Sequence, residues 1–126
     1  PIPEVVVTDT EIHFNPILFE FNKYEITKQS KKILDKLVYI MNQNVAMEIY
    51  IKAHTDSKGT AKYNLNLSEK RVQSTVNYIL SKGISTTRIS GKGFGETEPR
   101  INCGDKCTDE EHFQNRRSEF LIVKDK

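Results

Sequence analysis

The chain has 126 residues, a formal net charge of +2 and 37% hydrophobic residues, which suits one domain with a sizeable core. Its lysines and arginines form no block, so the weak positive charge gives no support to nucleic-acid binding through phosphates. The longest apolar runs are far too short to span a bilayer.

The beginning of the chain differs in composition from the rest. We assign residues 1–11, which mix proline, valine and polar residues, to an N-terminal lead-in, and residues 12–126 to one domain. The three valines at 5–7 fit either a short strand or an extended lead-in. Because the sequence starts with Pro1 and not with Met, we expect any export signal, lipid anchor or preceding domain to lie outside it. Any attachment to a membrane would come through that missing part.

Two strands and one helix are predicted in the first part of the domain. Apolar alternation predicts a strand at 12–21, with a break or bulge at Pro16, whose nitrogen cannot donate a ladder hydrogen bond. Thr27 suits the N-cap of a helix at 28–42, which carries a regular apolar stripe. Residues 45–53 alternate as a second strand.

A long helix at 62–82 follows, and its apolar spacing predicts these buried side chains: Leu65, Val72, Val76, Ile79 and Leu80. Residues 88–95 form a strand interrupted by glycines, residues 96–113 show no periodicity and are predicted as a long loop, and residues 117–123 form the last strand. The element order predicts an α/β two-layer sandwich, βαβαββ, with a mixed sheet of about four strands covered on one face by helices.

The polar turn after the second strand carries a possible binding site. Asp56 follows the strand end, while Asn64 and Arg71 are seven residues apart and therefore share one helix face. A carboxylate can bind an ammonium, and the planar guanidinium can bind a carboxylate through both oxygens. The three side chains together are therefore able to hold a zwitterion.

Simpler interpretations exist for each of these residues. Asp56 could cap the helix or the turn, and Arg71 could pair with Glu69 or Asp56 in a surface ion pair of little energetic value. We expect His54 to be structural and to bond the backbone of the turn.

The cysteines allow more than one interpretation. In an exported protein Cys103 and Cys107 form a small disulfide loop, whereas in a cytosolic protein they are free thiols or half of a metal site. A metal-dependent enzyme would need His54 with Asp56, or the cysteines with His112. The second set lacks an obvious fourth ligand and matches no common zinc spacing, and no nucleophile elbow is present. We therefore predict no enzyme, no metal and no cofactor.

Ordered motifs carry a resemblance to a known family. They are His-Thr-Asp-Ser-Lys-Gly at 54–59, Tyr-Asn at 63–64, Leu-Ser-Glu-Lys-Arg at 67–71, Gly-Phe-Gly-Glu at 93–96 with Pro99, and Asn-Arg-Arg-Ser-Glu at 115–119. Over residues 17–123 the chain resembles the OmpA-like carboxy-terminal domain, which outer-membrane OmpA proteins, peptidoglycan-associated lipoproteins and the flagellar stator protein MotB share. The acidic insert that contains the cysteines is similar to OmpA-like domains of the Bacteroidetes.

The resemblance implies non-covalent binding of peptidoglycan through the diaminopimelate residue of its stem peptide, on the periplasmic side of the outer membrane. By motif position, Asp56 would bind the ammonium of that residue and Arg71 its carboxylate. The further contact positions that the resemblance implies are Asn64, Arg116, Phe21 and Asn22. Adjacent strand residues point to opposite faces, so Arg117 is expected to form a salt bridge within the sheet. An interaction module, such as a stator or secretion-system anchor, is the alternative, and the segment before Pro1 would distinguish the two.

Overall fold

The computed structural model describes residues 5–8, 10–14, 17, 19, 20 and 23–124. The elements in chain order are β1 (Val5–Val7), β2 (Glu11–Phe14), α1 (Lys28–Gln43), β3 (Glu48–His54), α2 (Ala61–Ser81), β4 (Ile89–Gly95), α3 (Asp109–Asn115) and β5 (Arg117–Lys124). Every helix in this part of the chain is too short or too polar to cross a bilayer.

The strands form one mixed sheet in the order β1-β2-β5-β3-β4. β3 and β4 are parallel, and the other neighbouring strands are antiparallel. The predicted α/β class and mixed sheet are thus confirmed, with the short β1 as an additional edge strand. In the register between β3 and β5, His54 lies opposite Arg117. The end of β3 and the start of β5 therefore meet at the same end of the sheet.

Helix α1 follows its local sequence closely. The Thr27 hydroxyl accepts a hydrogen bond from the Ser30 amide at 3.1 Å, which satisfies one of the free N–H groups at the helix start. The buried side chains of its apolar stripe are Leu34, Leu37, Val38 and Met41. They pack into one core with alternate residues of β3 and with Phe120 of β5.

The buried face of α2 differs from the predicted stripe. Leu65 is 38% exposed, and the buried side chains of α2 are Asn64, Ser68, Val72, Thr75 and Ile79. The backbones of α2 and β4 lie very close together at Gly93, where an added Cβ atom would overlap the backbone of Ser68 and Glu69. The Ser68 hydroxyl also accepts a hydrogen bond from the Gly95 amide at 2.9 Å. With the two backbones this close, only small side chains fit between α2 and β4.

The predicted loop at 96–113 is wrong in its second half. It contains a short 3-10 turn (Gly104–Lys106) and most of α3. Thr108 and Glu111 form a capping box, in which each side chain accepts a hydrogen bond from the other residue's amide. This pairing stabilises a seven-residue helix that carries no apolar stripe.

The first predicted strand is shorter than expected. β2 ends at Phe14, and residues 17, 19 and 20 belong to no strand. The predicted break at Pro16 lies outside the described residues. Residues 17, 19 and 20 therefore lie outside the sheet, and Phe19 and Glu20 contact Arg71 of α2.

Candidate functional site

Asp56 lies in the turn between β3 and α2 and is only 7% exposed. Its Oδ1 accepts a hydrogen bond from the Lys58 amide at 2.9 Å, and its Oδ2 accepts one from Arg116 Nη1 at 2.5 Å. The first bond closes the turn locally, and the second joins the turn to the residue before β5. The carboxylate is thus fixed in position and still has lone pairs for further donors.

Arg116 and Arg117 have different partners, as expected for adjacent residues. Arg116 pairs with Asp56 and its guanidinium carbon lies 5.7 Å from the ring centre of Phe113. Arg117 Nη2 instead donates to the Glu98 carbonyl at 3.0 Å and lies 3.4 Å from Glu119 Oε1. Arg116 belongs to the site, and Arg117 holds β5 to the segment after β4.

Arg71 is held by backbone and aromatic contacts. Its Nε donates to the Lys23 carbonyl at 3.0 Å, its Nη2 donates to the Glu20 carbonyl at 3.4 Å, and its guanidinium carbon lies 4.8 Å from the ring centre of Phe19. Burial lowers the pKa of Arg71, the charge of Arg116 lowers it further, and Tyr63 and Asp56 oppose this effect. No carboxylate within the described part of the chain forms a salt bridge with Arg71. The expected alternative of a pair with Glu69 is therefore absent from this part of the structure.

Asn64 connects the pieces of the turn. Its side-chain nitrogen donates to the carbonyl of Lys58 at 2.8 Å, to Glu96 Oε1 at 3.1 Å and to the Asp56 carbonyl at 3.3 Å. The residue is buried on the first turn of α2, after the N-cap Thr60. These bonds hold the backbone that carries Asp56, so any contact of Asn64 with a ligand stays a prediction.

One cavity of about 440 Å³ brings the predicted residues together. Asp56, Asn64, Arg71 and Arg116 all line it, although they come from a turn, from α2 and from the residue before β5. The predicted contacts Phe21 and Asn22 lie outside the described residues.

Part of the cavity lining is apolar and was not predicted from the sequence. Ile17, Phe19, Tyr63 and Phe113 also line the cavity. Phe19 appeared in the sequence only as part of an alternating strand pattern. The early end of β2 instead leaves it beside α2, where it packs on Arg71.

The sequence led us to expect that His54 bonds the backbone of the turn, but among the described residues its side chain bonds Glu119 instead. Its Nε2 lies 2.5 Å from Glu119 Oε1, and its ring stacks on Phe94 at 5.8 Å between ring centres. Burial lowers the pKa of His54, as do the charges of Arg117 and Lys52, whereas Glu119 raises it. A residue 65 positions away supplies the partner, which no local pattern could indicate.

We expect the unfolding free energy to fall as the pH drops below 6.5, the unfolded pKa of histidine. The folded pKa of His54 is lower, so the unfolded chain binds more protons in this window, and one proton contributes at most about 1.4 kcal/mol per pH unit. Above pH 6.5 this contribution is fully present. Urea unfolding between pH 7.5 and 5 measures it.

His54→Gln keeps a donor toward Glu119 but does not titrate, so its stability curve should be flatter than that of the wild type. Equal slopes for the wild type and His54→Gln would contradict the assignment.

A disulfide joins Cys103 to Cys107, and the loop that it closes contacts the site. The Ser57 hydroxyl donates to the Gly104 carbonyl at 2.6 Å, directly beside Asp56. The disulfide removes both thiolates from the metal set considered above. Among the described residues, no group of three His, Cys, Asp or Glu side chains could hold a metal ion.

A model of the OmpA family matches residues 18–116. The chain belongs to the OmpA family. Over 112 residues it is 29% identical to the peptidoglycan-associated lipoprotein of Haemophilus influenzae, covering 89% of this chain and 71% of that relative. It is 38% identical to outer membrane protein A of Klebsiella aerogenes over 75% of this chain but 27% of that relative. A solved MotB-like protein from Desulfovibrio vulgaris superposes with a TM-score of 0.75 at 27% identity, over 84% of this chain and 67% of that one.

Membership of the OmpA family confirms the resemblance found in the motifs. The matched segment contains Asp56, Asn64, Arg71 and Arg116, which are the four described residues that the resemblance implied as contacts. In this OmpA-family chain they share one cavity, with the carboxylate and the unpaired guanidinium on separate elements.

Proposed function

We propose that the cavity binds the diaminopimelate residue of a peptidoglycan stem peptide, and that the domain thereby anchors an envelope protein to the cell wall without catalysis. One observation carries the proposal. A buried carboxylate and a guanidinium that lacks a carboxylate partner within the described residues line the same cavity. We place the domain on the periplasmic side of the outer membrane.

The chemistry of diaminopimelate fits this arrangement. Its side chain ends in an ammonium beside a carboxylate, so a site for it needs one anion and one cation in fixed positions. Arg71 supplies the cation, because its hydrogen bonds to the Lys23 and Glu20 carbonyls use Nε and Nη2 and leave donors for a carboxylate. Asp56 supplies the anion, because two hydrogen bonds leave its carboxylate able to accept an ammonium.

Arg116 refines the expected selectivity. Its charge already offsets that of Asp56, so a ligand with an ammonium alone gains little from the pair and leaves Arg71 without a partner. A simple carboxylate would in turn meet the Asp56 charge. A group that carries both charges satisfies all three side chains, which favours a zwitterion.

The relatives support the wall-binding part of the proposal. One carries the name peptidoglycan-associated lipoprotein, and another is a MotB-like protein. The first name supports binding to peptidoglycan, and what the domain would then hold in place is either the outer membrane or an envelope complex of the stator type. Both possibilities use the same cavity.

The first experiment tests wall binding by co-sedimentation of the domain with purified sacculi. We expect the domain to pellet with sacculi that contain diaminopimelate and to stay in solution with sacculi in which lysine replaces it. Failure to pellet with either kind of sacculus would contradict the anchoring function.

A calorimetric titration then tests the diaminopimelate detail with three tripeptides of the form L-Ala-γ-D-Glu-X. X is meso-diaminopimelate, lysine, which lacks the distal carboxylate, or 2-aminopimelate, which lacks the distal ammonium. Only the first should bind well, because each of the others leaves Arg71 or Asp56 without its ligand group. Equal affinity for all three would remove diaminopimelate from the proposal while leaving wall binding standing.

A further inference from the structure

A second cleft of about 200 Å³ lies directly beside the cavity. The two spaces share five lining residues, which are Ile17, Phe113, Arg116, Arg117 and Ser118. Arg100 lines only the second cleft. A ligand that is bound in the first cavity and extends past the shared residues would reach the second cleft.

Of the three arginines among the described residues that line the second cleft, Arg116 and Arg117 form salt bridges and Arg100 forms none. Arg116 pairs with Asp56, and Glu119 lies between His54 and Arg117. Glu11 Oε2 lies 3.1 Å from His13 Nε2. Arg100 is exposed at the cleft and has no salt bridge or hydrogen bond of its guanidinium to any described residue. It is the cation that remains available to an incoming group.

Asn115, the residue before Arg116, holds the backbone next to Arg100. The buried Asn115 side chain accepts a hydrogen bond from the Ile101 amide at 2.9 Å and donates one to the Ile101 carbonyl at 3.0 Å. Arg117 Nη2 holds the same segment through the Glu98 carbonyl. Arg100 and Arg117 both line this cleft, and the pKa of Arg117 is lowered by burial and by the charge of Arg100. The backbone beside Arg100 is thus held in place, while the Arg100 side chain is exposed at the cleft.

We propose that the second cleft binds a carboxylate from the part of the stem peptide next to diaminopimelate, with Arg100 as its partner. This inference rests on the proposed function, since the diaminopimelate head in the first cavity brings the neighbouring groups to the cleft. Two free carboxylates lie in that part of a tripeptide. One is the α-carboxylate of the glutamate, which is linked through its side chain, and the other is the carboxyl terminus.

The test compares wild type and Arg100→Gln by calorimetry with L-Ala-γ-D-Glu-meso-diaminopimelate. We expect the substitution to weaken binding about fivefold, since an exposed arginine–carboxylate pair contributes up to about 1 kcal/mol. The difference should shrink in high salt. Lys32→Gln removes an equal charge from α1, lines neither cleft and should bind as the wild type does.

Two amidated tripeptides identify the source of the carboxylate. One carries a carboxamide at the glutamate α position, and the other carries it at the carboxyl terminus. Wild type should bind one of them about fivefold more weakly, and with that peptide Arg100→Gln should cause no further loss. Full affinity of Arg100→Gln for the unmodified tripeptide, or an undiminished loss with both amidated peptides, would overturn the inference.

The design separates the two proposals. If the wild type does not bind the unmodified tripeptide at all, the diaminopimelate assignment fails and the second cleft fails with it. If the wild type binds and prefers diaminopimelate, but Arg100→Gln binds equally well, only the second cleft fails. Thermal unfolding of each variant, expected to match that of the wild type, confirms that the fold is kept.

Discussion

Asp56→Asn is expected to weaken binding of diaminopimelate-containing peptidoglycan by about 30-fold or more while the domain stays folded. The asparagine oxygen can still accept the hydrogen bond from the Lys58 amide, so the turn keeps its closure. The negative charge is lost, however, and both the ligand ammonium and Arg116 lose their ionic partner. Removing one member of such a buried charge pair costs about 2–4 kcal/mol of binding free energy.

Arg71→Lys is the complementary substitution, since lysine keeps the charge but loses the planar pair of donors. We expect a loss of at least about tenfold, because a point charge cannot bind both carboxylate oxygens and hold the Lys23 carbonyl as well. Sacculus co-sedimentation and tripeptide calorimetry measure both variants.

Glu69→Gln provides the control for these two variants. Glu69 is exposed on the same helix, and the sequence alone left it open as a partner of Arg71. Binding by this variant should equal that of the wild type. Wild-type binding by Asp56→Asn, or weakened binding by Glu69→Gln, would contradict the assignment of the anion.

Gly93→Ala is expected to lower the unfolding free energy by about 3 kcal/mol. The added methyl group would overlap the backbone of Ser68 and Glu69, and backbone cannot move aside as a flexible side chain can. α2 would have to shift away from β4. Urea denaturation at neutral pH measures the change.

Gly83→Ala is the matched control, because Gly83 has a φ of 96° but nothing within 4 Å of an added Cβ atom. It should cost only about 1 kcal/mol through backbone conformation. If Gly93→Ala proves as mild as Gly83→Ala, the contact between α2 and β4 is looser than the structure indicates.

The parts of the fold that follow from neighbouring residues were predictable from the sequence. The start of α1 is set by Thr27 three residues before Ser30, and its buried stripe follows from helical spacing. α3 had an equally local signal in Thr108 and Glu111, which form its capping box. Its seven residues lack an apolar stripe, so the segment was predicted as a loop. Leu65 was wrongly predicted to be buried. The distance between α2 and β4 is set by glycines of β4, which are distant from Leu65 in sequence.

The site was predictable only where chain neighbours or a family resemblance connected its members. Asn64 and Arg71 share a helix, and the turn before that helix carries Asp56. The contact between Asp56 and Arg116 spans 60 positions, and no periodicity relates the two residues. The register that sets His54 opposite Arg117 brings them together, and such a register is a property of the whole sheet.

A wall anchor must bear mechanical load as well as bind its ligand, and the place of β3 in the sheet determines where that load goes. Under the proposed function, tension on the ligand would enter at Asp56 after β3 and at Arg116 before β5. These strands pair over seven residues, and β3 is also hydrogen-bonded to β4 on its other side. The force would therefore be shared by the hydrogen bonds of interior strands, and no edge strand would be pulled away from the sheet. The three-residue pairing of β1 with β2 lies at the far edge of the sheet, away from this line of force.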